Sequence, residues 1–239
     1  MNLRLLRSQF CFLMETGGVR RLWDHLKENV FFDLKHGVDT ASWLPVEEFP
    51  KHIDNLKHGV RYRASYTSEV HRGLSIALKF LKQRGFDYKD VHFTDIGCGK
   101  GKVLIQVAKN FNFKRIIGLD YNQDFIEKAS QNLKKINARR VELVRADATQ
   151  YFHFGDINLI YIYNPFDAEI LDKVIQNVTL SAQKTVLVYN KPLHKNLFEE
   201  KYKWQHIDTK KGWSPDWTTS IYAYGFADQN EIGNLQQAA

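Results

Sequence analysis

Apolar side chains recur every three or four residues across positions 19–34, at Leu22, Trp23, Leu26, Val30 and Phe31, which predicts an amphipathic helix packed on the main body of the protein. The stretch 36–65 reads as irregular, broken by Gly37, Pro45, Pro50 and Gly59. Within it Lys35-His36-Gly37-Val38 is echoed once by Lys57-His58-Gly59-Val60, too little for a repeat architecture. Val70, Leu74, Ala77, Leu78 and Leu81 then mark a helix that starts near Thr67-Ser68 and stops at Gly85. From residue 91 short apolar runs alternate with helical patterns: strands at 91–95, 115–120, 141–147, 158–166 and 185–190, helices at 102–111, 123–136 and 168–181. This alternation predicts βαβ units and a parallel sheet covered on both faces. Residues 204–207 and 218–226 read as two further strands, an antiparallel edge pair, and 227–239 as a frayed tail.

The segment Thr94-Asp95-Ile96-Gly97-Cys98-Gly99-Lys100-Gly101-Lys102 follows a predicted strand and opens a predicted helix. Glycines at alternate positions let the backbone turn sharply and approach a ligand closely. A dinucleotide-binding loop needs a glycine where this chain has Lys102, and a phosphate-binding P-loop fails on the same position. The pattern is D-x-G-x-G-x-G instead. Asp95 entering the loop would repel a pyrophosphate and suits an adenosine ligand that carries positive charge and no phosphate. Asp120 ends the second strand and Asp147 the third, so all three acids reach the carboxyl ends of the strands, where open α/β sheets bind ligands. Asp120 is placed for ribose hydroxyls and Asp147 for an adenine amino group; the competing reading is that each caps the helix after it.

DIGCGKG at 95–101, the acid of GLDYN, the acid of VRADA and the Asn-Pro-Phe of IYNPFD resemble, in order and spacing, the four landmark motifs of class I S-adenosylmethionine-dependent methyltransferases. The resemblance covers about residues 66–226. The flanking text, GVDT at 37–40, GVRYRAS at 59–65 and LVYNKPLH at 187–194, is similar to a group of bacterial methyltransferase-like proteins of unknown substrate. It implies a Rossmann-like, doubly wound, mostly parallel seven-stranded sheet with an antiparallel edge strand, preceded by a helical extension and lid at 1–65. It also implies a cofactor set of Asp95, Gly97, Cys98, Gly99, Gly101, Asp120, Tyr121, Asp147, Ala148 and Asn164. Tyr62 and Ser65 join that set from the lid, with Arg63 a candidate for carboxylate contact.

The acceptor side is expected at Asn164, Pro165 and Phe166. A proline directly after an interior strand forces the chain out of the sheet and aims the preceding residue into the crevice. In methyltransferases acting on amino groups a related [Asn/Asp/Ser]-Pro-Pro-[aromatic] motif binds the nucleophilic nitrogen; this chain has one proline where that motif has two. Transfer from a sulfonium is an in-line displacement that needs positioning and exclusion of water more than a catalytic triad. The nine histidines form no H-x-x-x-H pattern, so no metal is expected. His194 is a candidate base or a surface histidine. Cys98 stands at a helix N-terminus, a position that lowers a thiol pKa, yet no partner base accompanies it and a small side chain in a tight turn is the simpler reading.

Composition narrows the partners. The 34 Lys+Arg and 27 Asp+Glu give a net charge of +7, divided as +4 over residues 1–90 (15 basic, 11 acidic) and +3 over 91–239 (19 basic, 16 acidic). An even spread lacks the stripe that binding to many phosphates requires, so a small-molecule or protein acceptor is expected rather than nucleic acid. Two cysteines and no long apolar run point to a cytoplasmic chain without a membrane span. A non-catalytic S-adenosylmethionine-binding module is the alternative reading, and an NAD-dependent oxidoreductase is disfavoured by Asp95 and Lys102.

Overall fold

The computed structural model describes residues 3–41, 62–164, 166–212 and 218–226. Seven strands form one sheet: β1 (His92–Ile96), β2 (Arg115–Asp120), β3 (Val141–Arg145), β4 (Leu159–Tyr163), β5 (Thr185–Asn190), β6 (Gln205–Lys211) and β7 (Thr218–Tyr224). Their spatial order is β3-β2-β1-β4-β5-β7-β6, and the first five run parallel. β7 runs antiparallel to both β5 and β6, so the one reversed strand lies a place in from the edge and β6 forms the margin. The strand order reverses at β1, which opens the ligand crevice of doubly wound sheets between the carboxyl ends of β1 and β4.

Alternate strand residues serve two cores, which is why the strands read as nearly continuous apolar runs. Phe93, Ile116, Tyr161 and Val188 pack beneath α3 (Thr67–Gln83) and α4 (Lys102–Asn110), whose Leu74, Leu78 and Leu104 are buried. Ile117, Ile162, Leu187 and Tyr189 pack on the other face beneath α6 (Ala168–Ser181), with Val174, Val178, Phe198 and Trp204. A Cβ at Gly118 in mid-β2 would collide with Leu104, so α4 rests directly on the strand and fixes the glycine loop that leads into it.

β2, β5 and α6 have the bounds their periodicity predicts, whereas β3 and β4 stop short of 147 and 166. The cause is local: Asp147 leaves the ladder to cap a 3-10 turn at Ala148–Gln150, and Asn164 adopts φ 36°. α5 (Gln123–Lys135) is capped by the Asn122 side chain, which accepts from the amides of Asp124 and Phe125.

The N-terminal helix departs from expectation in extent and in facing. α1 runs over Leu3–His25 with a kink at Gly18 (φ 60°), passes through a π-helical turn at Leu26–Val30 and continues as α2 (Phe31–His36), which ends on Gly37 at φ 65°. The face it buries is polar. Arg21, His25 and Asn29, spaced four apart, are buried, while of the apolar stripe Trp23 and Phe31 are exposed and Leu22, Leu26 and Val30 are half-buried. The reason is Lys102, the residue that breaks the dinucleotide pattern: its Nζ donates to the Glu28 carbonyl at 2.6 Å and to Asn29 Oδ1, and lies 4.9 Å from the centre of the Phe32 ring. Asn29 Nδ2 in turn meets His25 Nδ1 at 3.0 Å. Burial pushes the Lys102 ammonium down to about 7, and burial with the Lys102 charge pushes His25 down to about 4.

Lys102→Met therefore removes the polar tie while keeping the bulk. Amide exchange across 26–36 is expected to accelerate on the order of tenfold, with β1 and β4 unchanged; equal exchange in both proteins would show that Lys102 does not hold the helix.

Candidate active site

The glycine loop leaves β1 at Ile96 and turns back through three left-handed glycines, Gly97 (φ 78°), Gly99 (φ 52°) and Gly101 (φ 83°), before α4 begins. The amides of Gly97 and Cys98 both donate to the Leu119 carbonyl, at 2.8 and 3.0 Å, and Gly101 N donates to Cys98 O at 2.9 Å. These bonds stitch the loop to the end of β2. There Asp120 completes the frame: Oδ2 accepts from Gly99 N at 2.8 Å and Oδ1 from Asn122 N at 2.9 Å. One carboxylate thus ties the loop after β1 to the turn after β2.

Electrostatics mark the same spot. Asp95 and Asp120 are both buried. Burial, and behind it the Asp120 charge, holds Asp95 well above the usual carboxylate range. Burial raises Asp120 to about 6 against the backbone amides that favour its charged form. Asp95 Oδ2, the Tyr121 hydroxyl and Asn122 Nδ2 are buried without a hydrogen-bond partner, and burial with the Asp120 charge pushes Tyr121 up to about 12. Buried polar atoms are rarely left unpaired. Two crowded acids beside an unpartnered hydroxyl and amide therefore fit a polar ligand that carries positive charge.

The remaining expected residues are placed as follows. Asp147 Oδ1 accepts from Thr149 N and Thr149 Oγ1, both at 2.8 Å, so it caps its turn, and Ala148 is buried beside it. Tyr62 packs over the loop, where a Cβ on Gly99 would collide with its ring; the ring centre lies 4.9 Å from that of Phe125, and its hydroxyl donates to Thr40 O at 3.0 Å. Ser65 Oγ accepts from the Tyr161 hydroxyl at 3.2 Å, and Asn190 Nδ2 donates to the same hydroxyl at 3.0 Å. Asn164 Oδ1 accepts from the Tyr189 hydroxyl at 2.9 Å. Phe166 is partly buried against the second core, and Pro165 lies outside the described residues. His194 is partly exposed and supplies a backbone hydrogen bond to Tyr189.

Cys98 behaves differently from a thiol at a helix N-terminus. Burial, then Asp120 and Asp95, push it well up, so it is a packing residue beneath the loop rather than a nucleophile. Periodicity gave no signal for Asn132, whose side chain accepts from Asp39 N and donates to Asp39 O and Lys100 O, all at 3.0 Å. Nor did it for Asp33, which accepts from Thr40 N, Thr40 Oγ1 and Ala41 N, all at 2.6 Å. Together these fix Thr40 and the 39–41 segment against the glycine loop. Among the described residues no group of three or more His, Cys, Asp or Glu side chains is arranged to hold a metal ion, and no helix is long and apolar enough to cross a membrane.

Comparison with known proteins agrees with this fold. Residues 93–184 match the family described as methyltransferase domain. A probable cobalt-precorrin-6B C(15)-methyltransferase (decarboxylating) of Methanocaldococcus jannaschii is 27% identical over 162 residues, covering 66% of this chain and 78% of that protein. Several other curated relatives are matched over less than half of their length. Among solved structures, a precorrin-6y C5,15-methyltransferase from Geobacter metallireducens superposes with TM-score 0.51 at 22% identity, covering 67% of this chain and 88% of that one. A magnesium protoporphyrin IX methyltransferase from Synechocystis, with S-adenosylmethionine bound, gives TM-score 0.50 at 12% identity over 68% of this chain and 84% of that one.

The raised pKa of Asp120 has a thermodynamic signature. The folded value of about 6 exceeds the unfolded value near 3.9, so the Asp120 contribution to stability is present below pH ~4 and is lost as pH rises through about 6, a swing of roughly 3 kcal/mol. Urea unfolding of the cofactor-free protein should show wild type gaining on Asp120→Asn as pH falls from 7 to 4; a constant difference would mean that Asp120 carries no raised pKa.

Proposed function

We propose that the chain, whose residues 93–184 match a methyltransferase domain, is a class I S-adenosylmethionine-dependent methyltransferase that transfers the methyl group to an amino group of a small molecule or protein seated at the carboxyl end of β4. The observation that carries this reading is Asn164. It stands two residues beyond Ile162, the register partner of Ile96, and therefore level with the glycine loop across the switch point. Its backbone is held at φ 36°, and its Oδ1 is oriented by the Tyr189 hydroxyl. The backbone amides of His194 and Leu193 hydrogen-bond Tyr189 in turn, which fixes the direction in which it donates. Asn164 Oδ1 has a second lone pair with which to accept from an N–H nucleophile.

When bound, S-adenosylmethionine supplies an electrophilic methyl on a sulfonium. The residues proposed to hold it are Gly97, Gly99 and Gly101 for the methionine part, Asp120 with Tyr121 for the ribose, Asp147 with Ala148 for the adenine, and Asp95 for its positive charge. Tyr62, over Gly99 and hydrogen-bonded to Thr40, is proposed to exclude water from the loop, and residues 1–65 to act as extension and lid to the domain at 66–226. Asn164 orients the acceptor, and Phe166 offers an aromatic edge beside it. An excellent leaving group leaves little for the protein beyond alignment and desolvation, so buried acids and fixed amides suffice.

The test is a methyl-transfer screen with labelled S-adenosylmethionine over small amines, peptides and RNA. An active acceptor is expected among the amines or peptides, and RNA is expected to be inert. With that acceptor, Asn164→Ala should lower kcat about 100-fold and Tyr189→Phe about tenfold, while S-adenosylhomocysteine affinity stays unchanged. A cofactor-binding protein that methylates nothing in the screen would favour a binding module instead.

A further inference from the structure

The outer side of the N-terminal helix combines an apolar line with charge of one sign. Between residues 19 and 35 the exposed positions are Val19, Trp23, Phe31 and Leu34, each 48% to 73% exposed, together with Arg20, Lys27 and Lys35. Spacings of three and four residues string them along one side of the helix, over roughly 24 Å. The Trp23 and Phe31 rings meet edge to face at 6.2 Å across the π-helical turn, and Lys27 stands four residues from each. The acids of the same stretch turn inward. Asp24 is half-buried toward Tyr66, whose phenol is raised by burial first and by Asp24 among the charges behind it. Glu28 Oε2 accepts from Ser68 N at 3.1 Å, and Asp33 holds Thr40. No ion pair among the described residues involves Arg20, Lys27 or Lys35.

Single exposed apolar residues are ordinary, whereas a line of four with two aromatic rings in contact marks an interaction surface. A helix exposed along its length is a convex ridge, so it needs a partner that yields to it. Basic residues interleaved with Trp, Phe and Leu suit the interface of an anionic bilayer, where aromatic rings sit at headgroup depth and Lys and Arg stems reach back to the phosphates. We propose that residues 19–35 dock the chain on an anionic lipid surface, the helix lying flat in the headgroup layer. The inner side of the same helix is bound by Lys102, the first residue of α4, so docking brings the end of the glycine loop to the bilayer. The inference stands apart from the methyltransferase reading and needs no cofactor.

Co-sedimentation of the full chain with large vesicles tests it, comparing phosphatidylcholine that contains about 30% phosphatidylglycerol with phosphatidylcholine alone at low salt. Wild type is expected to bind the anionic vesicles at least about tenfold more tightly than the neutral ones. Each lysine near an anionic surface contributes roughly fivefold, so Lys27→Gln with Lys35→Gln should weaken that binding about 20-fold. Trp23→Ser with Phe31→Ser should weaken it at least about tenfold. Lys134→Gln with Lys135→Gln, exposed at the end of α5, removes the same charge and should leave it within about twofold. The two N-terminal variants change only exposed side chains, and either one that unfolds at the wild-type temperature suffices for the test. Equal binding to both vesicles, or none, overturns the inference. So does an equal loss in the α5 variant, because net charge alone would then account for the attraction. A wild-type dimer that Trp23→Ser with Phe31→Ser converts to monomer would overturn it too, giving the ridge to a second copy of the chain.

Discussion

Everything at this site hangs on a carboxylate buried at the end of a strand. Asp120 holds Gly99 and Asn122 by their backbone amides, so the loop after β1 and the turn after β2 share one anchor. That anchor is costly to keep ionised because it is removed from water, and its charge adds to the burial that holds Asp95 up. A cationic ligand changes the balance: it favours the charged forms and offers partners to atoms that burial has left without any. The same buried acids would disfavour a phosphate-bearing nucleotide there.

The N-terminal helices answer a second constraint, how to cover a glycine loop that must stay open to a ligand. They do so with polar contacts at defined points, through Lys102 to the π turn and Asn132 to Asp39, while Asp33 holds Thr40 within the segment itself. Each tie is a hydrogen bond with fixed direction, so the cover is located without an apolar seal across the crevice. The net charge of +7 is spread along the chain, while two acids, Asp95 and Asp120, are buried together at the glycine loop.

The sheet was legible because its strands are apolar on both faces and its turns are punctuated by Gly, Asp and Asn. The glycine loop and the acids at 95 and 120 were legible because their spacing is dictated by a close backbone approach. The facing of α1 was not, since hydrophobic periodicity assumes that the apolar stripe is fully buried, and here it is half-buried while a lysine from another element meets the polar face turned inward. The Tyr189–Asn164 and Tyr161–Ser65 bonds link residues far apart in sequence and carry no local pattern. The reading of Cys98 as a small side chain in a tight turn agrees with its burial, which with the charges of Asp120 and Asp95 pushes the thiol up.

Calorimetric titration of the wild-type protein and of Asp120→Ala with S-adenosylmethionine, S-adenosylhomocysteine and NAD bears most directly on this account. It predicts that both sulfur nucleosides bind the wild type, that NAD does not, and that Asp120→Ala loses them. Binding of NAD with neither sulfur nucleoside bound, or an Asp120→Ala protein that binds as wild type does, would contradict it.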